Sequence, residues 1–175
     1  MDIVLFFHGF GSSDNTNKFT CIEMNKVCIN VDYANDGIMN VVDRYDKLVN
    51  DLMKSHDNVI LDGHSLGGFF ANLFSHRYNL PALLINPCMS ASYLKDRIPN
   101  IDSLGLTFPT DGNRSVSVIV EMDDEVLNFK KDIIMIENNP IFSITKFNGG
   151  HHRTCRADSI NLELDLLGGH PFGFI

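Results

Sequence analysis

The sequence has 175 residues, enough for one domain with a substantial hydrophobic core. Apolar residues make up 44% of the chain, a fraction that excludes a disordered or fibrous protein. Its 22 acidic and 14 basic side chains give a formal net charge of -8, so we expect neither nucleic acid nor an anionic membrane as a partner.

The sequence shows no pattern for export or membrane insertion. It lacks the charged region and cleavage site of a signal peptide, and no apolar run approaches the roughly 20 residues that span a bilayer. The cysteines have no C-x-x-C spacing, which favours free, buried thiols over a zinc site: Cys21, Cys28, Cys88 and Cys155. We therefore expect a soluble, cytoplasmic protein.

The secondary structure is predicted to alternate between strands and helices. Six apolar runs predict strands at 3–7, 27–31, 59–61, 80–85, 115–120 and 141–147. Apolar residues at intervals of three and four predict helices over 37–56, 66–77, 126–136 and part of 157–167. The prolines and glycines of 88–114 predict a largely irregular excursion. Such alternation is typical of an α/β protein with a mostly parallel sheet between two helical layers, a three-layer αβα sandwich.

The most informative segment is Gly63-His64-Ser65-Leu66-Gly67, a G-x-S-x-G pattern between a predicted strand and a predicted helix. In this setting the serine lies on a strained turn with its hydroxyl at the positive end of the helix. Glycines are expected on either side because larger residues would collide with the neighbouring strand and helix. The pattern therefore predicts Ser65 as a nucleophile.

Three other loops should lie at the same edge of the sheet as Ser65, because the carboxyl ends of parallel strands meet there. They carry the segments 8–11, Asp123-Asp124 and His151-His152. Acyl transfer needs a nucleophile, a base, a carboxylate that orients the base, and backbone donors for the oxyanion. The chain order serine, aspartate, histidine is the order found in α/β-hydrolases. The predicted triad is therefore Ser65, Asp124 and His152.

On these motifs the chain resembles the α/β-hydrolase superfamily and, within it, the small YqiA-like bacterial esterases. That family has a His-Gly-Phe-x-Ser-Ser turn, a Gly-x-Ser-Leu-Gly-Gly elbow, a Gly-Asp-Glu-Val-Leu segment and a Gly-Gly-x-His segment. The matching positions here are 8–13, 63–68, 123–127 and 149–152. The resemblance implies one minimal α/β-hydrolase domain over residues 1–175, with about six strands and no large cap domain. It also nominates Asp124 as the acid and His152 as the base.

Two assignments keep an alternative. Asp123 stands where the family has glycine, and Asp124 could simply cap the following helix, in which case Asp123 would orient the base. His151 is the alternative to His152, because the sequence after His152 differs from the aromatic continuation of the family.

The remaining site residues follow from the same loops. The backbone N–H groups of Phe10 and Leu66 are predicted to form the oxyanion hole. Phe10, His64 and Phe69 are predicted to bind substrate, with His64 a packed neighbour of the serine. His8 is expected to shape the oxyanion turn instead of transferring protons.

The predicted function is that of a serine esterase acting through an acyl-enzyme, with no metal or organic cofactor. Little chain besides 88–114 is left to shape an acyl pocket, which favours a small-molecule ester or thioester as the substrate. Two alternatives stay open. The same triad serves an acyltransferase or thioesterase, and a hydrolase scaffold can act as a non-catalytic binding module.

Overall fold

The apolar runs form six parallel strands of one sheet in the computed structural model, which describes residues 1–150 and 154–169. The strands are β1 (Asp2–Phe7), β2 (Lys26–Cys28), β3 (Asn58–His64), β4 (Ala82–Ile85), β5 (Val116–Glu121) and β6 (Phe142–Phe147). Their order across the sheet is β2-β1-β3-β4-β5-β6. Every neighbouring pair runs parallel, so the carboxyl ends of all six strands lie at one edge.

Helices cover both faces of this sheet. They are α1 (Asn17–Thr20), α2 (Ile38–Ser55), α3 (Leu66–Tyr78), α4 (Phe129–Asp132) and α5 (Ala157–Leu167). On one face, α2 and α3 bury aromatic and aliphatic residues against the strands; on the other, Ile160 and Leu164 of α5 pack beside Phe19 of α1. The predicted three-layer sandwich is confirmed. Within the described ranges, none of these helices is both long and apolar enough to cross a bilayer.

Two strand ends differ from the prediction for identifiable reasons. The second strand ends at Cys28, because the N–H of Val31 donates to the His8 ring at 3.0 Å instead of to the sheet. The third strand runs on to His64, since its pairing with both neighbours continues through Asp62 and Gly63. This extension could not be predicted because aspartate and glycine are rare in strands.

The predicted helix over 126–136 is wrong in length. Only Phe129–Asp132 is α-helical, and a 3₁₀ turn, Ile133–Met135, follows it. The side chain of Asp124 accepts the N–H groups of Val126 and Leu127, both at 2.7 Å, in a capped turn that does not continue as an α-helix. The apolar spacing that suggested a helix was misleading because several of these apolar side chains are exposed.

The irregular excursion over 88–114 is present as predicted, with short 3₁₀ turns at Ala91–Leu94 and Asp102–Leu104. Its far end is tied to α3 by a buried guanidinium. Arg114 donates to the Asn72 side chain at 2.8 Å and to the Pro109 carbonyl at 3.1 Å, and Asn72 donates to the same carbonyl at 2.9 Å. The excursion is therefore a fixed wall above the carboxyl edge of the sheet.

Gly67 permits the closest approach between α3 and the sheet. A Cβ atom there would lie 1.9 Å from the carbonyl oxygen of Phe7, which is far inside van der Waals contact. We expect Gly67→Ala to lower the free energy of unfolding by about 3 kcal/mol or more, because backbone atoms would have to move. Urea unfolding followed by circular dichroism measures the effect.

Gly68→Ala is the matched control, since it adds the same methyl group one position later. There the new Cβ would lie 3.0 Å from Pro87, a contact that a small shift relieves. Its loss of stability should be clearly smaller than that of Gly67→Ala. Equal losses, or a stable Gly67→Ala protein, would contradict this account of the elbow.

Candidate active site

Ser65 occupies a strained turn between β3 and α3. Its backbone has φ 57° and ψ -121°, a region that residues with a side chain rarely adopt. The turn is held from β4: the Ser65 N–H donates to the Ile85 carbonyl at 3.0 Å, and the Ser65 carbonyl accepts the Cys88 N–H at 2.9 Å. Strain of this kind costs roughly 1–3 kcal/mol and is found mainly at functional sites. The backbone is therefore that of a nucleophile elbow.

Two cavities meet at Ser65, and both also contact Phe10. The first, here called the excursion cavity, has a volume of about 250 Å³ and is lined by Phe10, Ser65, Cys88, Tyr93, Leu94, Arg97, Val126 and Leu127. The second, the turn cavity, has a volume of about 300 Å³ and is lined by Gly9, Phe10, Gly11, Ser12, Thr16, Lys18, His64 and Ser65. Ser65 is thus reached from two sides.

The two predicted oxyanion donors border the serine. Leu66 is the first residue of α3, where N–H groups have no carbonyl partner within the helix. Phe10 lies in the turn after β1, and this turn packs on the elbow: a Cβ on Gly9 would lie 3.3 Å from Cβ of Ser65. This packing brings the first loop beside the hydroxyl, as the oxyanion-hole prediction requires.

His8 supports the turn from below. Its Nε2 accepts the Val31 N–H at 3.0 Å, which leaves the proton on Nδ1, and Nδ1–H donates to the Gly9 carbonyl at 2.8 Å. The His8 carbonyl in turn accepts the hydroxyl of Tyr33 at 2.8 Å. Burial lowers the pKa of His8, although the bond to Gly9 partly opposes this. The neutral His8 ring therefore holds in place the turn that carries Phe10.

Asp124 lies just beyond β5 and is partly buried, whereas the neighbouring Asp123 is exposed. The Asp123 carboxylate points towards the Lys130 ammonium, 4.0 Å away on the surface. One oxygen of Asp124 caps the following turn, which is the capping role that the sequence left open for this residue. Of the two carboxylates, Asp124 is therefore the less exposed.

His151 and His152 lie outside the described residues. The segment before them leaves the sheet next to β5, because β5 and β6 pair up to Glu121 and Phe147 at the carboxyl edge. Gly149 packs on Glu121, since a Cβ atom on this glycine would lie 2.4 Å from the glutamate carboxylate.

The predicted substrate-binding residues occupy different surroundings. Phe10 lines both cavities, and the buried His64 lines the turn cavity together with Ser65. Phe69 is fully buried in the core, with its ring edge-to-face on Phe70 at 5.6 Å and 6.3 Å from that of Phe108. It is not among the residues that line the two cavities.

Sequence reasoning missed several residues that surround Ser65. Lys18 is almost completely buried in the turn cavity, and the exposed Arg97 stands at the excursion cavity beside Tyr93. Tyr93 donates its hydroxyl to Asp132 at 2.9 Å, which orients the ring. Nothing in their local sequence distinguishes these side chains from ordinary surface residues.

All four cysteines are free thiols, and the expectation that they are buried holds only for Cys88. Cys88 donates to the Ser90 carbonyl at 3.0 Å, and burial raises its pKa to about 11, so the thiol is inert at neutral pH. The others are half-buried on the α5 side of the sheet or near it. Within residues 1–150 and 154–169, no three histidine, cysteine or acidic side chains converge to hold a metal ion.

Residues 3–103 match the family described as "Uncharacterised protein family (UPF0227)". The chain belongs to this family. The match covers the β1 turn, the elbow and the first part of the excursion, so the resemblance noted in the sequence is confirmed. No curated protein matches the sequence.

Solved structures of α/β-hydrolases share the fold of this UPF0227 protein. The esterase Est1E of Butyrivibrio proteoclasticus, solved with ferulic acid, superposes with a TM-score of 0.73 at 13% identity, over 97% of this chain and 90% of that one. Mouse alpha/beta hydrolase domain-containing protein 10 superposes with a TM-score of 0.69 at 16% identity, over 97% of this chain and 90% of that one. The fluorophosphonate-binding serine hydrolase F of Staphylococcus aureus superposes with a TM-score of 0.66 at 14% identity, over 95% of this chain and 82% of that one.

Asp62, on the strand that leads to Ser65, is a second group that sequence reasoning missed. It is fully buried between Phe6 and Leu83 of the flanking strands, and neither carboxyl oxygen has a hydrogen bond of normal geometry among the described residues. Burial raises its pKa well above the usual range, against a smaller opposing effect of the Gly63 N–H. Burial therefore favours the neutral form of this carboxyl in the folded protein.

This burial makes stability depend on pH. Above the usual aspartate pKa of about 3.9 the unfolded chain loses the Asp62 proton while the folded chain keeps it, so stability falls as pH rises towards the folded pKa. The slope is roughly 1.4 kcal/mol per pH unit. We expect Asp62→Asn to raise the free energy of unfolding at pH 7.5 by more than about 1 kcal/mol, with little gain at pH 4.

Urea unfolding at the two pH values tests this, and Asp96→Asn, on the exposed part of the excursion, is the control. The control should change stability little at either pH. A gain for Asp62→Asn that is the same at pH 4 and pH 7.5 would show that the carboxyl is not neutral in the folded state.

Proposed function

We propose that the protein is a serine hydrolase that cleaves carboxylic esters or thioesters of small acyl substrates. The observation that carries the proposal is the strained backbone of Ser65, which presents the residue at the junction of two cavities. Strained backbone of this kind is concentrated at functional sites. The esterases and serine hydrolases that share the fold support the same class of reaction.

In the proposed reaction, the Ser65 hydroxyl attacks the carbonyl carbon while His152 accepts its proton. Asp124 holds His152 in the required tautomer. The backbone N–H groups of Phe10 and Leu66 receive the oxyanion, and each such donor typically contributes about 3–4 kcal/mol to the transition state. His152 then protonates the leaving group, and water hydrolyses the acyl-enzyme with His152 as the base.

The cavities support a small substrate. Each has a volume of about 250–300 Å³, at the lower end of ligand pockets. The excursion cavity offers an apolar surface from Leu94, Val126 and Leu127, which suits a short acyl chain.

The nucleophile is tested with a fluorophosphonate probe and with 4-nitrophenyl acetate. We expect wild type to be labelled and to hydrolyse the ester, and Ser65→Ala to lose labelling and roughly 10⁴-fold or more of kcat, because no other residue replaces the attacking oxygen. Ser55→Ala, at the end of α2 far from the elbow, is the control and should behave like wild type.

If wild type is not labelled and does not hydrolyse esters, the result would favour a non-catalytic binding module. Normal labelling of Ser65→Ala would place the nucleophile elsewhere. Adding amine and alcohol acceptors during turnover tests the acyltransferase alternative, because an acyltransferase would transfer the acyl group to them in preference to water.

The acid is tested by comparing Asp124→Asn with Asp123→Asn. Removing the carboxylate that orients the base should lower kcat by roughly 10⁴-fold, as it does in serine proteases. Only Asp124→Asn should show this loss, because Asp123 is directed to the surface near Lys130. Asparagine keeps the oxygen that caps the turn, so thermal stability should change little. Equal losses from both substitutions would contradict the choice of Asp124.

A further inference from the structure

Lys18 is a buried cation beside the nucleophile. It belongs to the short helix α1, yet its side chain is only 1% exposed, which is rare for lysine. The side chain does not cover the outer surface of α1. It lines the turn cavity, whose other walls include His64 and Ser65. The proposed reaction of Ser65, His152 and Asp124 gives this lysine no role.

Several groups surround the Lys18 amine. Burial lowers its pKa, while nearby thiols and the carboxylates of Glu121 and Asp124 act in the opposite direction. Its Nζ lies 3.4 Å from the side-chain oxygen of Asn17, a long hydrogen bond. Glu121 also accepts a hydrogen bond from Arg156 at 2.9 Å, so it acts on two cations.

The two cavities at Ser65 differ in chemistry. The excursion cavity combines aliphatic side chains with Tyr93 and the exposed Arg97, whereas the turn cavity contains the hydroxyl-bearing Ser12 and Thr16 and the buried Lys18. The chain as a whole carries a net charge of -8, which would repel an anionic substrate. A cation enclosed in one of the two cavities reverses that preference locally, because charges interact more strongly when water is excluded.

We infer that the turn cavity binds an anionic group of the substrate and that the Lys18 ammonium is its cationic partner. This inference rests on the proposed function and narrows it. The substrate class is an ester or thioester that carries a carboxylate or phosphate a few bonds from the scissile carbonyl. The apolar part of the substrate lies in the excursion cavity, and the hydroxyls of Ser12 and Thr16 supply further donors to the anion.

The test compares kcat/KM for matched pairs of esters that differ in one charge. In the first pair the charge is on the acyl chain: 4-nitrophenyl hemisuccinate against its methyl ester. In the second pair it is on the alcohol: 3-carboxyphenyl acetate against 3-carbamoylphenyl acetate. The ratio of kcat/KM within each pair is divided by the ratio of the hydroxide-catalysed rates of the same two esters. This division removes the difference in their intrinsic reactivity.

For wild type, we expect the charged ester to be preferred about tenfold or more in at least one pair. The pair that shows this preference tells whether the anion lies on the acyl or the alcohol side of the substrate. Lys18→Met keeps the length and apolar stem of the side chain and should lower that preference roughly ten- to a hundredfold, the usual effect of losing a hydrogen bond to a charged group. Lys18→Arg should retain most of the preference. Lys47→Met removes the same charge from the exposed surface of α2 and should leave both rates unchanged.

No preference for the charged ester in either wild-type pair overturns the inference, and this measurement needs no variant to fold. Equal losses on charged and neutral esters in Lys18→Met also overturn it, because they would show that Lys18 supports the fold or the triad. Failure of the proposed function is distinct: wild type would then hydrolyse none of the four esters.

Discussion

The contact between Gly67 at the start of α3 and the carbonyl of Phe7 at the end of β1 determines the geometry of the whole carboxyl edge. Because neither residue places a side-chain atom between them, the helix begins directly against the sheet. Ser65 must then turn through a positive φ to connect strand and helix. The same approach brings the loop after β1, with Phe10, onto the elbow. One steric constraint thus aligns the proposed nucleophile, a helix N-terminus and the first loop.

Some residues around this elbow hold the backbone in place, and others face the cavities. His8, Tyr33 and Tyr45 form a buried chain of hydrogen bonds that holds the β1 turn without presenting a group to the cavities. Arg114 and Asn72 hold the far end of the excursion in the same way. The chain of hydrogen bonds from His8 to Tyr45 is uncharged, so it adds little to the electrostatic field at Ser65.

Much of the fold could be predicted because it depends on local patterns. Continuous apolar runs identified all six strands, and three- and four-residue spacing identified α2, α3 and α5. The errors have two sources. His8 accepts the N–H of Val31, which therefore does not bond to the sheet, and the turn that Asp124 caps is not continued as an α-helix before Phe129.

The sequence by itself determined the elbow, the chain order of the candidate triad and the fold class, because glycine spacing and strand-to-helix transitions are properties of consecutive residues. Only the tertiary structure decided which side chains surround Ser65. Phe69 lies in the core and not at a cavity, whereas Lys18, Arg97 and Tyr93 approach the site from segments with no distinctive pattern. The burial of a single residue depends on which layer packs over it, and separate segments create that layer only when the chain folds.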